Sequence, residues 1–158
     1  LCLAENKWGY VLLDFIKITE KEMLVNDLYR PITGSLILVK CNDKYLVAFN
    51  KWRNQWEIPA GGLEQGETPR ECVERELLEE TNQKVENIEF KGMFKLYDKH
   101  RNVIKYQAMY SACINKLEEF VENNEMDKIM LWDLQTPIGD FDEVDKKMIE
   151  LCLLDNTL

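Results

Sequence analysis

One histidine, His100, is all the imidazole that this chain of 158 residues contains. That excludes a multi-histidine metal site and argues against a Ser-His-Asp triad. Cysteine is present but unpaired in pattern: Cys2, Cys41, Cys72, Cys113 and Cys152 are odd in number, and none lies at knuckle spacing from another. Neither a disulfide framework nor a zinc site is expected, and reduced thiols in a cytoplasmic setting are. Long apolar runs are missing too. The longest, "SLILV" at 35–39 and "YLVAF" at 45–49, fall far short of the ~20 residues of a membrane helix. Residues 1–15, "LCLAENKWGYVLLDF", interrupt their apolar run with acidic and polar residues, so no export signal and no membrane partner are expected. Cationic charge is also short. Twenty Lys and Arg face 29 Asp and Glu, for a net charge of −9, which argues against gripping a long nucleic acid through a basic patch. A small phosphate compound remains open if cations mediate the contact.

What is there suits one globular domain spanning residues 1–158, with 46% apolar and 31% charged residues. Residues 8–28 alternate enough for one or two strands with a turn near Glu20–Lys21. Residues 32–51 read as a hairpin turning at "CND", and residues 54–62 as a strand that stops at Pro59 and opens into a glycine loop. A helix over 68–81 carries its own punctuation: Thr68 as N-cap, Pro69 at the first helical position, Glu71 closing a capping box and Asn82 as a left-handed stop. Residues 84–115 form a second, longer hairpin with its tip at "DKHRN", which places His100 at a turn. An acidic loop (119–128), a strand (129–134) and a helix (142–154) complete the chain. Strands before, between and after two helices predict an α/β fold, a mixed sheet with helices on both faces. Trp56 and Trp132 are expected in the core; the places of Trp8 and Trp52 stay undecided.

The helix over 68–81 is unusual for its charge. Between Gly61 and Gln83 there are seven glutamates and two arginines. Glu76, Glu79 and Glu80 share one face, where like charges cost about 0.2–0.5 kcal/mol per pair. Such a face is usually just solvated. Behind a glycine turn, however, carboxylate and carbonyl oxygens without sulfur or imidazole form a hard donor set suited to Mg²⁺, with Mn²⁺ as a substitute. Val73, Leu77 and Thr81 lie on the side that can pack on a sheet, and Cys72, between the two, is expected to be a packing residue rather than a nucleophile.

This segment resembles the Nudix box. That pattern runs glycine, five residues, glutamate, seven residues, then Arg-Glu-apolar-any-Glu-Glu-any-Gly-apolar. Gly61, Glu67 and Arg75-Glu76-Leu77-Leu78-Glu79-Glu80-Thr81 match it, while Asn82 and Gln83 replace the glycine and the apolar residue. Asn82 is a mild change; Gln83 predicts looser packing behind the helix. The likeness extends over most of the chain from Ile32 onward and implies a Nudix-like α/β/α sandwich.

It further implies a divalent-metal-dependent hydrolase that cleaves a pyrophosphate bond in a nucleoside diphosphate linked to another group: a nucleoside triphosphate, ADP-ribose or a nucleotide sugar. Glu76, Glu79 and Glu80 would then ligate metal with the Ala60 carbonyl, and Gly61, Glu67 and Arg75 would order them. The base would be a box glutamate, Glu79 or Glu80, or a loop glutamate, for which Glu125 is the candidate with Asp127 and Glu122 behind it. Lys51 and Arg53 could meet phosphates, and Trp52 could stack on a base. "IPAGG" resembles the ADP-ribose branch, but the proline often found some fifteen residues past the box is absent. Two other classes stay open: a Nudix-like sensor that binds a nucleotide without cleaving it, and an isomerase on the same fold, which the single histidine disfavours. A homodimer is possible for such folds.

Overall fold

The computed structural model describes residues 2–154. Its strands are β1 (Ala4–Glu5), β2 (Tyr10–Ile16), β3 (Ile32–Cys41), β4 (Lys44–Asn50), β5 (Gln55–Glu57), β6 (Ala60–Gly62), β7 (Glu89–Asp98), β8 (Val103–Ile114) and β9 (Met126–Trp132). Its helices are α1 (Glu20–Val25), α2 (Pro69–Thr81) and α3 (Glu143–Leu154). The strands make one mixed sheet in the order β1-β2-β7-β8-β3-β4-β5, with β6 also on β3 and β9 on β4. The β3–β8 pair is parallel and the other pairs are antiparallel.

The unbroken apolar run in β3 reflects burial on both faces, the condition under which a strand loses its alternation. Leu36 and Leu38 join Phe94, Leu96, Met109 and the inner residues of α3, Val144, Met148 and Ile149. Ile37 and Val39 point the other way, to Val73 and Leu77 of α2, Met23 of α1, and Ala108 and Tyr110. The sandwich of helix, sheet and helix is therefore as expected, and Trp56 and Trp132 are core residues.

The segment around Glu20–Lys21 is a helix, not a turn between strands. Thr19 caps it by accepting from the Glu22 amide at 3.1 Å. Arg70 of α2 then grips Glu20 through Nε and Nη2 at 3.1 and 2.7 Å, and the Tyr110 hydroxyl donates to the same carboxylate at 2.9 Å. Glycine is scarce, and asparagine shares the positive-φ corners with it: Asn42, Asn54, Asn82 and Asn102 all have φ between 55° and 60°.

The box helix begins and ends as its punctuation predicts. The Thr68 side chain accepts from Glu71 N while Glu71 accepts from Thr68 N, and Asn82 sits at φ 60°. Its N-terminus is tied to the sheet by Ser35, whose hydroxyl donates to the Pro69 carbonyl at 2.8 Å. Beside it, β6 crosses β3 at a point where only glycine fits: a Cβ on Gly34 would lie 2.3 Å from the Gly61 carbonyl oxygen. Gly34→Ala is therefore expected to push β6 off β3 and cost about 2 kcal/mol, as overpacking against a backbone atom does. The measurement is the denaturant midpoint of the variant against wild type; an unchanged midpoint would refute it.

Candidate active site

Burial, local hydrogen bonds and one arginine place the acidic side chains. Glu80 faces inward from α2, only 3% exposed, and its Oε1 accepts the Ala60 amide of β6 at 2.9 Å. Burial, and then the carboxyl of Glu125 meeting it side chain to side chain, push Glu80 well above the usual carboxylate range. Glu76 lies against the bare Cα of Gly61, where an added Cβ would fall 2.0 Å from its carboxyl carbon. Burial also lifts Glu76, against the opposing pull of Arg75. Glu79 is outermost, with its side chain 57% exposed.

Arg75 holds this cluster together. Its Nε and Nη2 fork onto Glu67 at 2.7 and 2.9 Å, its Nη1 reaches Glu76 at 2.7 Å and Glu79 at 3.2 Å, and Nη2 also donates to the Gly62 carbonyl at 2.9 Å. Glu67 in turn accepts the Glu64 amide at 3.0 Å. Those two donors, Arg75 first, bring Glu67 down to about 2. Arg75 thus ties Glu67 to Glu76 and Glu79, and Gly61 leaves the space that the Glu76 carboxyl occupies.

Cys72 is buried beneath the cluster with its thiol against the Gly61 carbonyl at 3.5 Å. Burial is the main reason that its pKa is raised, with the Glu67 and Glu76 charges adding to it. It packs, as expected.

Among the described residues, no three His, Cys, Asp or Glu side chains stand together as a finished metal cage. The donors nevertheless fit a hard divalent cation. All are carboxylate or carbonyl oxygens, and the buried Glu80 faces a second carboxyl with no cationic side chain bonded to it. Of the expected ligands, Glu80 bonds the Ala60 amide, and Glu76 and Glu79 are both bonded to Arg75.

Glu80 is the member of this cluster that lines a cavity of about 860 Å³, together with Ala60, Gly61 and Glu125; Glu76, Glu79 and Arg75 lie outside the lining. Arg53 lines it as well, held by Glu57 at 3.2 Å. Lys51 and Trp52 stand on the adjoining β4–β5 turn, outside the lining. Lys51 pairs with Glu122 at 3.5 Å, and the Trp52 indole N–H donates to the Asn124 carbonyl at 2.6 Å, leaving its ring 77% exposed. Trp8, whose place the sequence leaves undecided, lines the cavity and donates to Gln55 at 3.1 Å.

The sequence reading missed the opposite wall. Gln55 bridges Glu57 and Asp142 at 2.7 and 3.0 Å, Asn6 also donates to Asp142 at 3.0 Å, and Asp145 accepts the Ile58 amide at 3.0 Å. Burial, then Asp142 and Glu57, lift Asp145 well above the usual carboxylate range. These residues come from both ends of the chain and the β5 strand between, so no local spacing announced them.

The expectation of loose packing behind Gln83 is also wrong. Gln83 is 1% exposed and fully bonded. Its Nε2 donates to the Thr81 and Glu118 carbonyls at 3.0 and 2.8 Å, and its Oε1 accepts the Glu118 amide at 2.8 Å. A polar side chain packs there because backbone groups, not apolar atoms, lie opposite.

A family profile, NUDIX domain, matches residues 30–152. An RNA pyrophosphohydrolase of Psychromonas ingrahamii is 28% identical over 103 residues, covering 62% of this chain and 55% of that protein. The chain thus spans about half the length of that relative. Among solved structures, a pyrophosphohydrolase of Bacillus subtilis superposes with a TM-score of 0.76 at 18% identity, covering 97% of this chain and 94% of the other. The NUDIX domain of NrtR from Shewanella oneidensis, solved in complex with ADP ribose, superposes with a TM-score of 0.63 at 16% identity, covering 89% and 100%. At these identities the structures establish the fold.

Two outcomes are expected from the charge arrangement. Glu67 has a folded pKa of about 2 against an ordinary 4.5, so its contribution is full above about 4.5 and disappears as pH falls towards 2. Melting curves of wild type and Glu67→Gln should therefore differ at pH 6 and converge near pH 2; a gap that persists at pH 2 would contradict the clasp. In Glu80→Gln, the amide can keep the Ala60 bond and donate to Glu125, replacing repulsion with a hydrogen bond. The metal-free variant should be more stable than wild type by about 1 kcal/mol and should lose the rise in Tm on adding Mn²⁺, as read by calorimetry.

Proposed function

The chain belongs to the NUDIX family, and on that premise we propose that it is a Mg²⁺-dependent pyrophosphohydrolase, Mn²⁺ substituting, with residues 1–158 acting as one domain. The observation that carries this reading is the buried Glu80 facing Glu125, next to Glu76, on the wall of a cavity large enough for a nucleotide. A buried carboxyl with a second, half-buried carboxyl set against it is costly unless positive charge joins them.

On this reading Glu76, Glu79, Glu80 and the Ala60 carbonyl hold the cation. When bound, it supplies charge neutralisation at phosphate oxygens and an acidified water. Glu125 accepts the water's proton, since it alone of the loop acids is set against the helix cluster; Asp127 and Glu122 are not given that role. Glu67, Arg75 and Gly61 keep the ligand carboxylates in place. Arg53 meets the substrate's phosphates from the cavity wall. Trp52, with its ring open and its N–H anchored, offers a stacking face beside the cavity, with Lys51 next to it on the same turn.

The substrate favoured is the triphosphate end of a nucleotide or short RNA. Support comes from the name of the Psychromonas relative and from the platform beside the cavity, where a second base could rest. The net charge of −9 leaves no basic track for a longer strand, so only the first nucleotides would be held. ADP-ribose or a nucleotide sugar is the alternative within the same chemistry, and a binding module without turnover is the alternative outside it. A cytoplasmic location is part of the same reading.

The test is phosphate or pyrophosphate release from nucleoside triphosphates, 5′-triphosphorylated oligonucleotides of a few residues, ADP-ribose and nucleotide sugars. Turnover is expected with Mg²⁺ or Mn²⁺ on the triphosphates, absent in chelator, and reduced about 100-fold or more in Glu80→Gln with the fold retained. Product formation in chelator would overturn the metal-dependent scheme. Tight binding of a substrate without turnover would favour the sensor.

A further inference from the structure

The two residues that depart from the box pattern close on the same stretch of chain. The connection from 115 to 125, between β8 and β9, has neither helix nor strand. Its backbone groups must therefore find partners elsewhere. Gln83 takes both groups of Glu118, accepting its N–H and donating to its C=O, each at 2.8 Å. Asn82 Nδ2 donates to the Glu119 carbonyl at 2.8 Å. Further along, Asn123 joins the helix to the far end of the connection. Its Nδ2 donates to the Glu80 carbonyl at 3.0 Å, and its Oδ1 accepts from Glu125 and Met126 at 3.0 and 2.8 Å. From the other side, the Lys51 amide donates to the Glu125 carbonyl at 2.9 Å. Every one of these bonds fixes main chain, so together they fix where the Glu125 side chain starts.

We infer that Asn82 and Gln83 form a latch on the 115–125 connection and act as positioning residues that hold Glu125 against Glu80. The residues usual in the box could not do this. Glycine at 82 keeps the left-handed turn but has no side-chain amide to offer, and an apolar residue at 83 removes both bonds to Glu118 and leaves its N–H and C=O to solvent. The chain has exchanged a generic helix stop for one that carries its own loop anchor. The catalytic consequence rests on the role given to Glu125 above; the latch itself does not.

Gln83→Leu and Asn82→Gly, the family-type residues, test it. Amide hydrogen exchange is followed at Glu118 and Glu125, with Val73 and Leu77 in α2 as internal controls. Gln83→Leu should speed exchange at Glu118 and Glu125 about tenfold or more while the α2 amides hold; Asn82→Gly, which keeps the turn, should do so more weakly. In steady-state kinetics kcat should fall about 10- to 100-fold with KM within about twofold, and adding Glu125→Gln to Gln83→Leu should cost little more. Unchanged exchange at both loop amides in both variants overturns the latch. Losses in kcat that multiply between Gln83→Leu and Glu125→Gln overturn its action through Glu125. If Gln83→Leu does not fold, Asn82→Gly answers the same question at the Glu118 and Glu125 amides. If wild type cleaves no substrate, the proposed reaction fails, and the exchange data alone still decide the latch.

Discussion

A single guanidinium holds an otherwise self-repelling helix face in one arrangement. Glu67, Glu76 and Glu79 all reach Arg75, and the Gly62 carbonyl takes a further bond from it. A lysine could supply the charge but not the planar fork that satisfies Glu67 at both oxygens. Isolated exposed pairs contribute about 0–1 kcal/mol, and each of these alone would be of that order. Shared by one part-buried cation, however, they set geometry: Glu76 is pressed onto Gly61, and the glycine loop is drawn to the helix. Of the two proposed ligands that Arg75 holds, Glu79 has the longer contact, 3.2 Å against 2.7 Å for Glu76, and the more exposed side chain, so on the proposed reading it is the more easily released to an incoming ion.

That arrangement needs a backbone that allows close approach, which is why two glycines from different strands meet here. Gly34 admits the Gly61 carbonyl, and Gly61 admits the Glu76 side chain. The parallel contact of β3 with β8 and the burial of β3 on both faces give this crossing a rigid base. Precision at the carboxylates is thus inherited from the centre of the sheet rather than from a loop.

Legibility in the sequence followed the range of the interactions. The box helix was readable to its ends because Thr68, Pro69, Glu71 and Asn82 act on neighbouring residues. The buried faces of α2 and α3 were readable from periodicity. Helix α1 was mistaken for a turn because it is only six residues long and depends on Arg70 and Tyr110, 50 and 90 positions away from Glu20. Gln83 was misread because its partner, Glu118, lies 35 residues on. The wall built by Asn6, Gln55, Glu57, Asp142 and Asp145 was invisible for the same reason. Glu125 could be nominated from its place in an acidic loop, but its meeting with Glu80 is a property of the fold.

The two walls of the cavity raise an electrostatic problem that constrains how the site can work. Glu80 and Glu125 face it from one side, and Glu57, Asp142 and Asp145 from the other. Arg53, already engaged by Glu57, shares the lining with Arg101 and Lys105, and the acidic side chains there still outnumber the basic ones. A polyphosphate entering this space alone would meet more negative than positive charge. On the proposed reading, cation and substrate must therefore assist one another: the ion relieves the carboxyl pair and gives the phosphates a partner, and the phosphates give the ion oxygens that the protein lacks. Such coupling is reciprocal by thermodynamic necessity, so the ion's affinity must rise in the presence of substrate by the factor that substrate affinity rises in the presence of the ion.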